Sequence, residues 1–171
     1  DIFINESIDK NTIEANYNIS RHIAQKFSTY KSMEGQFSFD YPTAFELKEQ
    51  DFGSAEILYH IGFRDKSNPI HGFVQVWNMP YPLEEFLKKS MSTSTQNYLS
   101  FSSQSTTVDN SPAVFWNYSI LTNNNENYKG LEVFWKKDGK MYRISYFVPG
   151  NLWSEKEYET FQSIVKSFKT F

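Results

Sequence analysis

The chain contains no cysteine among its 171 residues, which excludes a disulfide framework, a thiolate metal site, a cysteine nucleophile and an iron–sulfur cluster. Its seven glycines all stand singly, so there is no glycine-rich loop of the kind that binds phosphate. The sequence also lacks the G-x-S-x-G pentapeptide that presents the nucleophile of many serine hydrolases. These absences remove several common kinds of catalytic site, and no cofactor is predicted.

Positive charge is not in excess either, because 17 Lys and Arg stand against 20 Asp and Glu, with a net charge of −3. Duplex nucleic acid and anionic membranes attract concentrated Lys and Arg, so neither is expected as a partner. No stretch approaches the roughly 18 apolar residues needed to span a bilayer, and the sequence predicts no transmembrane segment. The first residue is Asp1 rather than Met, so we expect that an upstream segment has been removed.

Periodic hydrophobicity is present from the N-terminus onward. Apolar residues recur there at spacings of three or four, at Ile4, Ile8, Ala15, Ile19, Ile23, Phe27 and Tyr30. This spacing predicts an amphipathic helix, and we assign residues 1–33 to an N-terminal helix or arm and residues 34–171 to a domain. Two roles remain open for the helix. It packs on the domain, or it projects as a stalk or arm whose apolar stripe docks on a partner, including a second copy of the chain.

From Gly35 onward the hydrophobic period changes to two, which is typical of β-strands. Strands are predicted at residues 36–41, 45–48, 55–63, 72–77, 99–108, 113–122, 130–137 and 141–148. Residues 83–97 are predicted to form a helix, because a proline and two glutamates favour a helix start there. The dipeptide Asp138-Gly139 predicts a tight hairpin turn. The predicted fold class is α+β, an antiparallel β-sheet flanked by helices and preceded by the N-terminal amphipathic helix.

The start of the closing helix carries a capping signal. Ser154 is expected to cap it, with the Glu157 carboxylate returning to the amide of Ser154 and with Trp153 and Tyr158 forming a hydrophobic staple. The predicted buried face of this helix consists of Tyr158, Phe161, Ile164, Val165 and Phe168.

Three segments resemble the PsbP-like family, which comprises extrinsic photosystem proteins and many bacterial relatives. Residues 37–42, Phe-Ser-Phe-Asp-Tyr-Pro, followed by Phe45, are similar to the opening Tyr-Pro strand of that family. The Asp-Gly hairpin leading into residues 141–146 and the final helix ending in residues 164–168 are similar to its closing elements. The resemblance covers about residues 35–168.

The PsbP-like resemblance implies an antiparallel sheet between helices, a fold also used by the Ran-binding Mog-type proteins. It implies a non-enzymatic accessory or binding module, which in bacteria is commonly exported and sometimes lipid-anchored. We therefore expect an extracytoplasmic location, either secreted or as a cell-surface lipoprotein. No catalytic residue follows from the resemblance, because the family has no universal active site.

Two of the three histidines are candidates for a metal site. His60 and His71 lie on consecutive strands of one predicted hairpin, so their relation depends on the strand register. In one register they are diagonal neighbours on one face, and Glu56 nearby would complete a His/His/carboxylate site of the kind that binds zinc. A slip of one residue places them on opposite faces. The alternative interpretation is two histidines on a polar face, with no metal.

Aromatic residues make up 18% of the chain and indicate where a partner could bind. Bulky residues occupy both faces of residues 113–122 and 130–137, so either helices cover both faces or one aromatic face is partly exposed for a partner. In the second case the binding surface is predicted to contain Trp77, Met79, Tyr81, Trp116 and Trp135. We predict a non-enzymatic domain that contacts a protein or a small ligand. The alternative is a small-molecule-binding or catalytic pocket between sheet and helices.

Overall fold

A computed structural model describes residues 25–171 of the chain. Its strands are β1 (Phe27–Ser32), β2 (Phe37–Pro42), β3 (Phe45–Glu49), β4 (Ile57–Asp65), β5 (His71–Asn78), β6 (Asn97–Val108), β7 (Ser111–Leu121), β8 (Asn127–Lys137), β9 (Lys140–Pro149) and β10 (Lys169–Thr170). Its helices are α1 (Leu83–Thr93) and α2 (Glu155–Ser167), and a 3₁₀ turn spans Gly150–Leu152. No helix in this part of the chain is both long and apolar enough to cross a membrane.

The strands form two antiparallel sheets. The large sheet has the order β3-β4-β5-β9-β8-β7-β6, and the small sheet has the order β1-β2-β10. The predicted hairpins β4–β5 and β8–β9 are confirmed, and Asp138 and Gly139 take positive φ angles of 53° and 77° in the turn between β8 and β9, as a primed hairpin turn requires. Between β2 and β3 the chain passes from the small sheet to the large one.

Helices pack on both faces of the large sheet, which confirms the α+β class. The face covered by α2, here called the α2 face, buries Val133 and Trp135 in the main core. The face covered by α1, the α1 face, buries Phe134 in a second core. Because neighbouring residues of a strand point to opposite faces, three consecutive bulky residues of β8 serve two cores.

The predicted N-terminal helix is wrong for residues 27–32. These residues form β1, which pairs antiparallel with β2 and places Tyr30 opposite Phe39, with their ring centroids 5.2 Å apart. Pairing with β2 satisfies the backbone and buries alternate side chains of β1, and this long-range gain overrides the local helical spacing. The rest of the predicted helix lies outside the described residues. The division of the chain into an N-terminal arm, residues 1–33, and a domain, residues 34–171, stays a prediction for those residues.

The predicted capping box is also wrong in its side-chain bonds. Ser154 occupies the cap position of α2, but its side chain makes no capping hydrogen bond. The Glu157 carboxylate is buried and accepts a hydrogen bond from the Tyr146 hydroxyl at 2.7 Å. Glu157 is therefore engaged with β9 beneath the helix.

Candidate functional site

The predicted aromatic binding surface is largely core. Met79 and Trp135 are fully buried and Trp116 is 6% exposed, and only Trp77 and Tyr81 remain partly exposed. Trp135 lies on the α2 face, in a different core from the other four residues. The prediction of one exposed surface from these five residues is therefore wrong, because the two faces of the sheet divide them.

Helix α1 explains the burial of this part of the α1 face. Its Phe86 places its ring centroid 5.2 Å from that of Trp77 and 6.2 Å from that of Phe134. On the other side, the Trp116 ring lies 4.7 Å from Phe134. The aromatic residues closest to α1 thus hold the helix onto the sheet.

The rest of the α1 face carries a row of rings that are partly buried or exposed, which we call the aromatic ladder. It begins at Phe52, in the loop between β3 and β4, and then crosses four strands in the order His60, Phe73, Phe147, His71 and Tyr128. Successive ring centroids are separated by 4.9, 5.1, 6.3, 5.3 and 6.3 Å. The strand register produces the row, since β5 places Phe73 beside Gly62 of β4 and places His71 opposite Phe147 of β9.

A polar network centred on Glu132 lies next to the ladder on the same face. The Glu132 carboxylate accepts hydrogen bonds from the Tyr118 hydroxyl at 2.7 Å and the Ser145 hydroxyl at 2.5 Å. It also accepts two from the Arg143 guanidinium, at 2.9 and 2.7 Å. Glu132 is 4% exposed, so these donors replace the water that a buried carboxylate requires.

Local sequence makes this network possible. Gly130 lies opposite Tyr118 in the β7–β8 pair, and a Cβ atom at position 130 would come within 2.4 Å of the Tyr118 ring. The ring therefore lies over the glycine and extends its hydroxyl to Glu132, two residues farther along β8. Burial and the neighbouring Glu132 carboxylate raise the pKa of Tyr118 above its ordinary value, which keeps the hydroxyl protonated as a donor.

Arg143 connects the network to the ladder. Its guanidinium lies over the Phe73 ring at 5.1 Å and over the Phe134 ring at 5.3 Å, distances at which a cation is attracted to an aromatic face. Glu132 balances the positive charge of Arg143 in an ion pair. The polar network next to the ladder therefore contributes no net charge from this pair. The Ser145 hydroxyl is fully buried and donates to Glu132, so it is not placed to attack a substrate.

The structure does not bring the candidate metal ligands together. His60 lies opposite Gln75 and His71 lies opposite Arg64, which separates the histidines by roughly 13 Å along the strands. Both lie on the α1 face, with Phe73 between them in the ladder. Glu56 is exposed and precedes β4. Within residues 25–171, no group of three His, Cys, Asp or Glu side chains is placed to hold a metal ion.

Burial and its neighbours favour the neutral form of His60. The Trp77 indole donates to the Gln75 side-chain oxygen at 2.9 Å, which orients the Gln75 amide nitrogen toward His60 Nδ1 at 3.0 Å. Burial and the nearby charge of Arg143 lower the pKa of His60. Burial also lowers the pKa of His71, although a hydrogen bond to the Pro69 backbone opposes this.

Acidification is expected to destabilise the fold through these two histidines. Because both pKa values are lower in the folded protein, the unfolded chain binds more protons, and the stability present above pH 6.5 is lost as the pH falls below it. Urea unfolding between about pH 5 and pH 7 should show a free energy that rises with pH. His60→Gln and His71→Gln together should flatten this slope. An unchanged slope in the double variant would contradict the prediction that His60 and His71 cause the pH dependence of stability.

A second concave feature lies on the other side of the sheet, between β6 and α2. This cleft has a volume of about 490 Å³. Its floor contains Phe115 and Phe161, and its walls carry the neutral side chains Gln104, Thr106 and Gln162. It corresponds to the pocket between sheet and helices that the sequence left open as an alternative.

Two charged side chains also line the cleft, Asp109 and Lys166, and Asp109 is already engaged. Asp109 accepts hydrogen bonds from the Thr170 hydroxyl at 2.6 Å and the Lys137 ammonium at 3.1 Å. Burial raises the pKa of Asp109, but the bonds from Thr170 and Lys137 outweigh it and the pKa is lowered overall. This carboxylate therefore stays ionised and serves to fix β10 against the β6–β7 turn.

Comparison with protein families provides the identity of the fold. The sequence profile described as PsbP-like protein matches residues 85–170, half of the chain, from α1 to β10. The chain belongs to the PsbP-like family. Members of this family are generally non-enzymatic accessory proteins. No curated protein matches the sequence of this PsbP-like chain.

Solved structures share the PsbP-like fold at low identity. The solution structure of cyanobacterial PsbP (CyanoP) from Synechocystis sp. PCC 6803 has a TM-score of 0.64 and 13% identity, over 86% of this chain and 94% of that one. LpqN of Mycobacterium tuberculosis, described as involved in cell envelope biogenesis, has a TM-score of 0.57 and 9% identity, over 91% and 95%. A protein from Bacteroides thetaiotaomicron VPI-5482 has a TM-score of 0.58 and 14% identity, over 84% of this chain and 48% of that one.

Sequence reasoning missed the aromatic ladder of this PsbP-like domain. A signal was present, because the rings of His71 and Phe73 occupy alternate positions along β5. Alternation alone does not tell which half of a sheet face a helix covers, however. That depends on where α1 lies, and α1 covers the half nearest Trp77.

Proposed function

We propose that this PsbP-like chain is a non-enzymatic accessory domain that binds a partner protein through the aromatic ladder. The observation that carries the proposal is the ladder itself, a continuous row of exposed and partly exposed rings, five of which are held on four paired strands. Aromatic side chains are enriched at the centres of protein interfaces, and a row fixed by a sheet loses little conformational entropy when a partner binds.

The chemistry beneath the ladder favours binding over catalysis. The Glu132 carboxylate already accepts hydrogen bonds from Arg143, Tyr118 and Ser145. The His60 side chain is hydrogen-bonded to the Gln75 amide. Because each polar group has a fixed partner, the arrangement resembles a rigid support more than an acid–base pair poised for proton transfer. The partner is expected to be a protein with an apolar or aromatic contact surface, since the ladder offers rings and balanced charge.

We further propose that the domain works outside the cytoplasm, secreted or attached to the cell surface. The PsbP-like relatives support this location, since LpqN is described as involved in cell envelope biogenesis. The absence of cysteine means that such a domain would have no thiols to oxidise in an extracytoplasmic compartment.

The cleft between β6 and α2 favours a second candidate function, the binding of a small neutral ligand. Its volume of about 490 Å³ falls within the range of small-molecule sites. Aromatic floor residues would contact apolar parts of the ligand, and the Gln104 and Gln162 amides would bind its polar groups.

Paired substitutions distinguish the two surfaces. Full-length protein and the variant Phe73→Ser/Phe147→Ser should be compared in capture from the envelope fraction of producing cells. The affinity for each captured protein is then measured after purification. We expect the ladder variant to weaken the binding by roughly ten-fold or more, as for central interface aromatics.

Two further variants serve as controls for that measurement. Met33→Ser replaces a hydrophobic residue that is 70% exposed and lies outside the ladder, and it should bind like the unmodified protein. Tyr158→Ala alters the cleft, which Tyr158 lines, on the side of the sheet away from the ladder. Equal binding by the ladder variant would refute the proposed function, and loss of binding confined to Tyr158→Ala would favour the small-ligand alternative.

A further inference from the structure

The two edges of the large sheet differ in how they are protected. One edge is β3, a strand of five residues that carries Glu46, Lys48 and Glu49. Glu46 forms an ion pair with Arg64 of the neighbouring strand at 2.5 Å. Short length and charge are the usual devices that prevent an edge strand from pairing with another chain, so the β3 edge is blunted.

The other edge is β6, which is neither short nor charged; its pairing with β7 is irregular between Tyr98 and Ser100 and regular from there to Val108. It is a strand of twelve residues, Asn-Tyr-Leu-Ser-Phe-Ser-Ser-Gln-Ser-Thr-Thr-Val, with no charge and no proline. Every residue from 99 to 107 is exposed. Within the part of the chain that the structure describes, β7 is its only neighbour in the sheet, so its outer backbone N–H and C=O groups are available for pairing.

We propose that β6 is a self-association site, at which a second copy of the chain pairs its own β6 antiparallel across a two-fold axis. The pairing joins two seven-stranded sheets into one. A strand of this length spans about 40 Å, and its outer hydrogen bonds to the second copy replace those to water. This surface is separate from the aromatic ladder, so the inference does not depend on the proposed function.

Charge favours a second copy as the occupant. Each chain carries a net charge of −3, yet β6 is neutral throughout, so two copies can pair along it without placing like charges opposite each other. The cross-strand neighbours would be Ser, Thr and Gln in most registers, and hydroxyl pairs of this kind are favourable between strands. Leu99 and Phe101, which are 54% and 36% exposed, would be partly covered at the same time.

The blunted β3 edge determines where assembly stops. A sheet with two bare edges could add copies without limit, whereas one bare edge can pair only once. The expected product is therefore a closed dimer and not a filament.

Two variants that introduce charges of opposite sign on β6 test the proposal on the full chain. Ser103 and Ser105 are exposed on β6 and point to the same face. We compare Ser103→Lys/Ser105→Lys and Ser103→Glu/Ser105→Glu with the unmodified protein by sedimentation velocity over a dilution series. Like charges opposed across the two-fold axis should raise the dimer dissociation constant by roughly ten-fold or more in each variant. An equal mixture of the two variants should form heterodimers.

The matched control for the lysine variant is Asn123→Lys/Asn124→Lys. It adds the same positive charge at exposed positions between β7 and β8 and should leave the dimer unchanged. Circular dichroism confirms that each variant is folded. A dimer that dissociates in both charged variants and re-forms on mixing supports the proposal. A monomer at every concentration of unmodified protein, a dimer insensitive to charge on β6, or assemblies larger than a dimer would each overturn it.

Discussion

Glu132→Ala is expected to lower the free energy of unfolding by about 3–5 kcal/mol, the cost of breaking a buried ion pair by removing one partner. The substitution leaves the Arg143 guanidinium without its carboxylate, and it also leaves the hydroxyls of Tyr118 and Ser145 without their acceptor. Since Ser145 is fully buried, water cannot readily replace the lost bond. Urea unfolding at neutral pH measures the effect.

A double variant separates the charge effect from loss of packing. In Glu132→Ala/Arg143→Met both charges are removed together, so the buried cation is no longer uncompensated, and stability should recover in part. Glu155→Ala, which removes an exposed carboxylate at the start of α2, is the matched control and should change stability by no more than about 0.5 kcal/mol. If Glu132→Ala cost no more than this control, the network would not be a supporting element of the sheet.

Phe168→Ala is expected to cost about 3–5 kcal/mol as well, through lost transfer free energy and the cavity that remains. The Phe168 ring is 1% exposed and lies between Phe37 of the small sheet and Trp135 and Tyr142 of the large sheet. The centroid distances are 5.7, 4.9 and 5.4 Å. It therefore joins the two sheets, and thermal and urea unfolding should both report the loss.

Ser154→Ala provides the contrast on the same helix. Its hydroxyl makes no capping hydrogen bond, so the substitution should cost less than the roughly 1 kcal/mol typical of a lost cap. A loss in Ser154→Ala greater than that in Phe168→Ala would mean that α2 is held by its first turn and not by its buried face.

Residues 133–135 show how far the sequence alone could go. The three consecutive residues Val133, Phe134 and Trp135 are all bulky, which predicts a strand buried on both faces. The presence of two cores, one on each face, confirms this prediction. The same pattern could not show that Trp135 and Trp116 belong to different cores, because their relative placement depends on the register between β7 and β8. The predicted aromatic surface failed for that reason.

Tyr30 and Glu157 show the opposite limit. The spacing of Ile19, Ile23, Phe27 and Tyr30 favours a helix locally, but β2 offers an edge with which residues 27–32 pair. Ser154 and Glu157 have the spacing of a capping box. However, Tyr146 lies beneath α2 and donates a hydrogen bond to the Glu157 carboxylate. In both cases a contact distant in sequence was stronger than a local signal.

The sequence by itself determined the order of strands and helices from β2 to α2, the hairpin turn at Asp138-Gly139 and the burial of Phe161, Ile164 and Val165 on α2, but it did not predict β10. These features follow from periods of two or 3.6 residues and from turn chemistry, which act over a few neighbouring positions. Only the tertiary structure decided that His60 lies opposite Gln75, that α1 covers one half of a sheet face and leaves the aromatic ladder on the other, and that β3 and β6 are the edges. Each of these depends on which strands become neighbours and in what register, and that is settled by packing between segments far apart in the chain.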